Sequence, residues 1–280
     1  MATITNQATL SYNGITRLSN ITTGELVESL TMTKTAVEDN YQQGNTITYV
    51  ITLSNTGTTN VTNLTVSDNM GGYPYDTDTV YPLTYLPGSV RYYIGGAPQA
   101  DPVVNVGPPM TFEGITVPAG GNTTLVYQAA VNNFAPLAAG SNISNTATTI
   151  GDETVSANYI LPVATAPDLS ISKTMSPGIV TENGTITYTF TVQNTGNTEA
   201  ALADGVVVSD RFLPVLNGVS VLYNGTVWTP GVEYTYDGNT GAFATTAGAV
   251  TVPAATYSRN ADGSLAVTPG TATVTVTGTV

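Results

Sequence analysis

The chain contains two lysines, and both occupy the same position in two copies of one motif. The first copy reads Leu-Thr-Met-Thr-Lys-Thr around Lys34, and the second reads Leu-Ser-Ile-Ser-Lys-Thr around Lys173, 139 residues later (173 − 34 = 139). Because side chains alternate between the two faces of a strand, each lysine shares the apolar face of its motif. An amine that points into an apolar core is costly unless another group compensates it.

Two further polar side chains point inward by the same alternation. Asp68 continues the apolar face of its strand, and Asp210 does so in the second copy. Asn145 shares a face with apolar neighbours in an Asn-Thr-Ala strand, and Asn6 stands at the matching N-terminal position (145 − 6 = 139). One Lys, one Asp and one Asn left unpaired inside an apolar sandwich would cost several kcal/mol.

These three residue types could form a covalent bond. Desolvation lowers the pKa of an amine and raises that of a carboxyl, and a neutral lysine is a nucleophile. A protonated aspartic acid can polarise the asparagine carbonyl, so that attack on the amide carbon would expel ammonia and leave a Lys–Asn isopeptide bond. The two sets predicted to react are Lys34, Asn145 and Asp68, within one chain, and Lys173, Asn6 and Asp210, between two copies of the chain.

A purely structural interpretation of these residues stays open. The lysines could snorkel along apolar surface at one end of a sandwich. The aspartates could cap the turns that follow their strands, and the asparagines could bond to nearby backbone. The mass of the denatured chain separates the interpretations, because each bond would lower it by one ammonia.

The elements that must position these residues are predicted to be strands. The 280 residues are long enough for two domains, each with a core. Alternating runs of Thr, Val, Ile and Tyr, cut by Gly, Pro and Asn, predict strands, and no stretch keeps a helical period. The predicted fold class is therefore all-β, with two tandem β-sandwiches and an N-terminal β-hairpin extension.

The hairpin extension follows from a second repeat. The segment 141–150 resembles the segment 2–10 at the same spacing of 139, and the Asn13-Gly14 pair that follows the earlier segment is a strong hairpin signal. A proline-bearing stretch predicts a linker after the later hairpin. The predicted parts are 1–28, a donor hairpin and linker; 29–163, a first sandwich with its own closing hairpin; and 164–280, a second sandwich that lacks one.

Composition argues against several classes of function. A net charge of −13 with six basic residues argues against nucleic acid and anionic membrane surfaces as partners. Without cysteine or histidine the chain lacks thiolate chemistry, the usual general base and the commonest metal ligand. We expect no cofactor, no metal site, no membrane insertion and no enzyme acting on external substrates. Asp76 and Asp78 are only a weak calcium signal.

The repeated motifs resemble a known family. The chain carries in order the motifs Lys-Thr, Thr-Ile-Thr-Tyr, Asn-Thr-Gly, Val-x-Asp and Asn-Thr-Ala-Thr. This series is similar to the bacterial conserved-repeat surface domain, known as domain of unknown function eleven. The resemblance implies immunoglobulin-like sandwiches in tandem on cell-surface proteins and fibres. The Lys, Asp and Asn sets also resemble the self-catalysed cross-links of Gram-positive pilins and adhesins. In that family the Asn-Thr-Ala strand comes last, whereas here a similar strand also precedes the first repeat.

This departure predicts assembly between copies of the chain. No Asn-Thr-Ala strand follows Lys173, so the last strand is predicted to be an open edge that a hairpin from another copy could fill. Head-to-tail contacts of this kind propagate into open fibres. The predicted donor strand carries Ile4, Asn6, Ala8 and Leu10, and the predicted acceptor edge carries Ala272, Val274, Val276 and Val280.

The function predicted from sequence is that of a structural subunit of an extracellular bacterial fibre. Such a fibre would be a pilus-like filament or a spore appendage, on the cell or spore surface, and its partner would be the chain itself. The absence of a visible signal peptide fits assembly in a sporulating mother cell. The alternative is a monomeric adhesin or spacer module. The hairpin could also fold back onto its own chain, or the units could be 1–140 and 141–280.

Overall fold

The computed structural model describes residues 2–26, 29–151 and 154–280, and this part of the chain confirms the all-β prediction. Its one helical element is a 3-10 turn, η1 (Leu202–Asp204). No helix in the described ranges is long and apolar enough to span a membrane. Met1, Val27 and Glu28 of the predicted donor hairpin and linker lie outside the described residues.

The N-terminal segment forms a long hairpin. Its strands are β1 (Ala2–Asn6), β2 (Thr9–Tyr12), β3 (Ile15–Leu18) and β4 (Thr22–Leu26). β1 pairs with β4 and β2 with β3. Asn13 and Gly14 both have positive φ, as the tight turn between β2 and β3 requires. Every residue from 4 to 24 is exposed, including its apolar side chains.

The first sandwich consists of two sheets with an apolar interior. Its strands are β5 (Leu30–Ala36), β6 (Thr46–Asn55), β7 (Val61–Asp68), β8 (Tyr73–Tyr75), β9 (Asp78–Val80), β10 (Leu83–Tyr85), β11 (Arg91–Ile94), β12 (Ala97–Pro98), β13 (Val103–Asn105), β14 (Met110–Val117), β15 (Asn122–Val131), β16 (Asn142–Ile150) and β17 (Ser156–Pro162). One sheet has the order β12-β11-β15-β6-β5, and the other has the order β13-β14-β7-β16-β17.

Strict alternation along β6 and β15 fills the interior of this sandwich. In β6 every second residue from Ile47 to Asn55 is buried, and in β15 the buried residues alternate from Thr123 to Val131. The two strands pair in register, with Tyr49 opposite Tyr127. This period of two is what an antiparallel sheet with one buried face requires, and it sets which side chains can meet inside.

The second sandwich repeats most of this architecture. Its strands are β18 (Leu169–Ser176), β19 (Thr185–Asn194), β20 (Ser209–Arg211), β21 (Asn217–Tyr223), β22 (Thr226–Val227), β23 (Tyr234–Tyr236), β24 (Ala242–Thr245), β25 (Thr256–Arg259), β26 (Leu265–Thr268) and β27 (Gly270–Thr279). The sheet β18-β19-β27-β21-β22 repeats the order β5-β6-β15-β11-β12, and β20-β24-β23 repeats β7-β14-β13. Among the described residues nothing in this sandwich corresponds to β16 and β17.

The predicted acceptor edge at Ala272, Val274, Val276 and Val280 is wrong. β27 is paired on both sides, with β19 and with β21. Its inward residues are buried in the core of the second sandwich, and Val280 packs against that core. The last strand in chain order is a central strand of its sheet, because β27 lies between the earlier strands β19 and β21. Of the two edge strands in the other sheet, β20 is the one that corresponds to β7 and has no described partner on its outer side.

The repeated Asn-Thr-Gly motif fixes the turn after β6 and after β19. Asn55 is buried, its Nδ2 donates to the Thr59 and Val117 carbonyls, and its Oδ1 accepts from the Gly57 amide. Asn194 makes the equivalent bonds in the second sandwich. These asparagines are satisfied by backbone groups, so the motif has a structural role that is separate from the lysine chemistry.

Candidate functional site: a closed and an open lysine site

Lys34 lies in the interior of the first sandwich. The strand β5 pairs with β6 so that Lys34 faces inward beside its apolar neighbours. Its Nζ lies 2.6 Å from Oδ2 of Asp68, and both side chains are 0% exposed. Burial lowers the pKa of the Lys34 amine, and the adjacent Asp68 carboxylate opposes that shift only in part. The site therefore favours the neutral, nucleophilic form of the amine more than water does.

Asp68 ends β7 and accepts three hydrogen bonds. Oδ2 accepts from Lys34 Nζ and from the Tyr127 hydroxyl, the latter at 2.5 Å. Oδ1 accepts from the Met70 amide at 2.9 Å, so Asp68 also caps the turn that follows its strand. The turn cap and the buried ion pair are thus both present, and the carboxylate is held in place from two sides.

Asn145 completes the cluster from β16, on the far side of β7 from β14. The residue is fully buried, and its Nδ2 donates to the Tyr127 hydroxyl at 3.1 Å. Its Oδ1 has no hydrogen-bond partner among the described residues. A buried carbonyl without a partner costs about 1–3 kcal/mol.

Two tyrosines surround the Lys34 amine, and sequence reasoning assigned neither of them a role. The rings of Tyr49 and Tyr127 stack with centroids 5.5 Å apart, and Lys34 Nζ lies 5.0 Å from the Tyr49 ring. Burial raises the pKa of both phenols, so both stay protonated at neutral pH. A signal was available, since Tyr127 shares the inward face of β15 with Leu125 and Ala129.

The second lysine site contains the same ion pair in an open setting. Lys173 Nζ pairs with Oδ2 of Asp210, but the two side chains are 39% and 22% exposed. The amine also lies 4.5 Å from the Tyr188 ring and 5.3 Å from the Phe212 ring. The lysine, the carboxylate and one aromatic ring of the first site are therefore repeated, while the cover over them is not.

The third member of the second set lies elsewhere. Asn6 ends β1 in the exposed hairpin, where it stands opposite Thr22. The structure thus brings Lys34, Asp68 and Asn145 together through Tyr127, and it brings Lys173 and Asp210 together without an asparagine.

Strand pairing explains why one site is closed. β7 pairs with β14 on one side and with β16 on the other, which places Ala147 opposite Asp68. β20 pairs with β24, and no described strand pairs with its other edge. The exposure of the lysine strands differs in the same way, since Leu30 is 1% exposed and its counterpart Leu169 is 38% exposed. Ile171 and Met175 on the same strand are also exposed.

The acidic loop that gave a weak calcium signal gains no support. Asp76 lies in the turn between β8 and β9, and Asp78 begins β9. Among the described residues, no group of three or more Asp, Glu, His or Cys side chains is arranged to hold a metal ion.

No protein-family model and no curated protein matches the chain. Solved structures that it resembles include the major pilin subunit of Bacillus cereus (12% identity, 96% of this chain and 73% of that chain, TM-score 0.35) and the pilus backbone of Streptococcus pneumoniae (13%, 86% and 55%, 0.35). A collagen-binding domain from a Staphylococcus aureus adhesin is also similar (11%, 50% and 99%, 0.32). At such identities and scores these likenesses carry no argument about function, which rests on the chain's own residues.

Proposed function

We propose that this chain is the structural subunit of an extracellular bacterial fibre and polymerises head to tail. In this proposal the hairpin of one subunit pairs with the free edge of β20 in the next and completes its second sandwich. The observation that carries the proposal is that two sandwiches share their strand order except for β16 and β17, while an equivalent hairpin lies exposed in the same chain. The family resemblance stays a prediction.

The register of the first sandwich specifies how the hairpin would dock. Ala147 stands opposite Asp68 and Thr149 opposite Val66. The donor position follows from the repeat spacing (147 − 139 = 8), and the Val-x-Asp motif recurs at a spacing of 142 (210 − 68 = 142), so the corresponding pair places Ala8 opposite Asp210. Two positions on, Leu10 would stand opposite Val208. The β20 edge thus replaces β27 as the acceptor, while the predicted donor strand is retained.

Burial of apolar surface would drive this docking. Leu169, Ile171 and Met175 are exposed on the lysine strand, and Ile4 and Leu10 are exposed on the donor. Full burial of a large apolar side chain contributes about 1.5–3 kcal/mol. The burial of five such side chains would contribute a free energy of the size needed to offset the ~4–15 kcal/mol cost of association. The backbone edge of β20 would also gain hydrogen-bond partners from the added strand.

Covalent reinforcement is the second half of the proposal. In the first site Lys34 would bond to Asn145 with the help of Asp68, inside one subunit. In the second site a docked hairpin would bring Asn6 to Lys173 and Asp210, and a bond there would join neighbouring subunits. The support is the buried Lys34–Asp68 pair beside the Asn145 amide, whose oxygen has no hydrogen-bond partner among the described residues.

Electron microscopy and sedimentation of the purified chain test the assembly. We expect the unmodified chain and Ser11→Asp to form filaments, because Ser11 is one residue away from Leu10 and points to the opposite face of the strand. Leu10→Asp places a charge in the proposed core and should leave separate subunits. If the unmodified chain sediments as a monomer even at high protein concentration, the result favours the alternative, a monomeric adhesin or spacer module.

A further inference from the structure

The hydrogen bonds of the closed site contain a path that the proposed Lys34–Asn145 reaction needs. Asp68 Oδ2 accepts from Lys34 Nζ at 2.6 Å and from the Tyr127 hydroxyl at 2.5 Å. The same hydroxyl accepts from Asn145 Nδ2 at 3.1 Å. Within the described ranges no hydrogen bond joins Asp68 to Asn145 directly, so the only bonded route between carboxylate and amide runs through Tyr127.

The chemistry requires a proton to travel along this route. When Lys34 Nζ bonds to Cγ of Asn145, the amine loses a proton, and the amide nitrogen must gain one to leave as ammonia. The carboxylate that takes protons from the amine is in contact with Nζ, but it does not contact the leaving nitrogen. A hydroxyl can accept and donate a hydrogen bond at once, so the Tyr127 hydroxyl can connect the Asp68 carboxylate to the leaving nitrogen of Asn145.

We propose that Tyr127 is a catalytic residue that relays a proton from Asp68 to the departing nitrogen of Asn145. Lys34 first gives its ammonium proton to Asp68 Oδ2 and becomes a neutral amine. As the new Nζ–Cγ bond forms, the Asp68 acid donates to the Tyr127 oxygen, and the Tyr127 O–H proton passes to Nδ2. Asp68, which is now a carboxylate again, accepts the second proton from Lys34 Nζ. The Cγ–Nδ2 bond then breaks, and ammonia leaves.

The surroundings of Tyr127 suit a relay. The residue is fully buried, and burial raises the pKa of its phenol, so the hydroxyl is protonated when the reaction begins. Its ring is stacked on Tyr49 and lies 5.3 Å from Phe112, which fixes its orientation. A buried, dry site also keeps bulk water from replacing the hydroxyl in the path.

The open site has no such hydroxyl at the matching position. Tyr127 stands opposite Tyr49 in the first sandwich, and Val276 stands opposite Tyr188 in the second. The Tyr127 relay could therefore serve only the bond within a subunit. Formation of the bond between subunits would need another route for the proton. Since general acid catalysis contributes about 10²–10⁴-fold, the internal bond should form first.

The inference rests on the proposed isopeptide bond, and one experiment separates the two claims. The chain is isolated under denaturant before it has folded, refolded by dilution, and sampled over time for intact mass. Retention of full mass by the unmodified chain would refute the bond itself. If the unmodified chain loses one ammonia, we expect Tyr127→Phe to lose it at least about 10²-fold more slowly.

Tyr85→Phe is the matched control, because its ring packs against Tyr127 but takes no part in the path. That variant should bond at the rate of the unmodified chain. A Tyr127→Phe chain that refolds with native near-ultraviolet circular dichroism and loses ammonia as fast as the control would overturn the relay.

A second measurement uses the unmodified chain and does not depend on any variant folding. The bonding rate is followed in mixtures of light and heavy water. Two protons moving together through Asp68 and Tyr127 should give a curved dependence of the rate on the deuterium fraction. A linear dependence indicates one proton in transfer and contradicts the relay.

Discussion

The two sandwiches use the same lysine–aspartate pair, and they differ in what lies beside it. In the first, β16 covers the pair, and Lys34 and Asp68 are 0% exposed. In the second, β20 has an open edge, and Lys173 and Asp210 are 39% and 22% exposed. The motif around each lysine is nearly the same, so burial is set by one neighbouring strand. The structure thus shows the same ion pair covered by a strand in one sandwich and open to solvent in the other.

The largest expected difference between the sandwiches concerns the lysines. Compared with the unmodified chain before the proposed Lys34–Asn145 bond forms, Lys34→Ala leaves the Asp68 carboxylate buried without its cation, which should lower the free energy of unfolding of the first sandwich by about 3–5 kcal/mol. Lys173→Ala removes a partly solvated partner and should cost the unassembled second sandwich at most about 1 kcal/mol. Denaturant unfolding measures both, with Trp228 fluorescence reporting on the second sandwich. Equal losses would remove the distinction between a closed and an open site.

The next comparison concerns the leucines that begin the two lysine strands. Leu30→Ala removes a buried side chain and should destabilise the first sandwich by about 2–5 kcal/mol. Leu169→Ala alters a partly exposed side chain, so the separate subunit should lose about 1 kcal/mol or less. The same substitution should weaken filaments, because the proposed hairpin covers Leu169. Filaments that resist dilution as well as the unmodified ones would argue against that cover.

Alternation along the strands was enough to predict part of the site. Period-two patterning placed Lys34, Asp68 and Asn145 on inward faces, and all three are buried. The Asn13-Gly14 turn was predictable because two consecutive positive φ values favour that residue pair. That the three inward residues bond covalently stays a prediction, as do the domain boundaries.

The strand order could not be predicted in the same way. Chain order made β27 look like an edge, yet β27 lies between the earlier strands β19 and β21, and such long-range pairing leaves no local mark in one sequence. Tyr127 was missed for a related reason. Its inward direction is visible in β15, but its contacts with Asp68 and Asn145 come from three different strands.

The smallest expected effect is a difference in alkaline stability. Burial raises the pKa of Tyr49 and Tyr127 above its ordinary value of 10.0, so the stability they contribute is present below that pH and is lost as pH rises toward the folded-state values. In a chain that has not formed the proposed Lys34–Asn145 bond, Lys34 acts in the opposite sense, because its pKa is lowered and its contribution to stability improves with rising pH up to 10.5.

Above pH 10.5 the tyrosine contribution alone should therefore weaken the first sandwich. Unfolding followed by near-ultraviolet circular dichroism should show this loss, and Tyr127→Phe should make the dependence on pH shallower. The second sandwich, with Val276 at the matching position, should change less over the same range. Parallel losses in both sandwiches would contradict the assignment.

The docking of the hairpin on a neighbour is tested most directly by a cysteine pair. Thr148 stands opposite Ser67 in the first sandwich. Thr148 corresponds to Thr9 (148 − 139 = 9) and Ser67 to Ser209 at the spacing of the Val-x-Asp motif (209 − 67 = 142), so Thr9 and Ser209 are the matching pair between subunits. Directly opposed strand residues have the Cα separation that a disulfide needs, and the chain has no other cysteine.

Thr9→Cys with Ser209→Cys should therefore give, after mild oxidation, a ladder of covalent multimers on a denaturing gel without reductant. Thr16→Cys with Ser209→Cys serves as the control, because Thr16 lies on the outer strand of the hairpin, and it should give no ladder. A Thr9–Ser209 disulfide that forms within single chains, or that does not form while the protein is folded, would contradict the account.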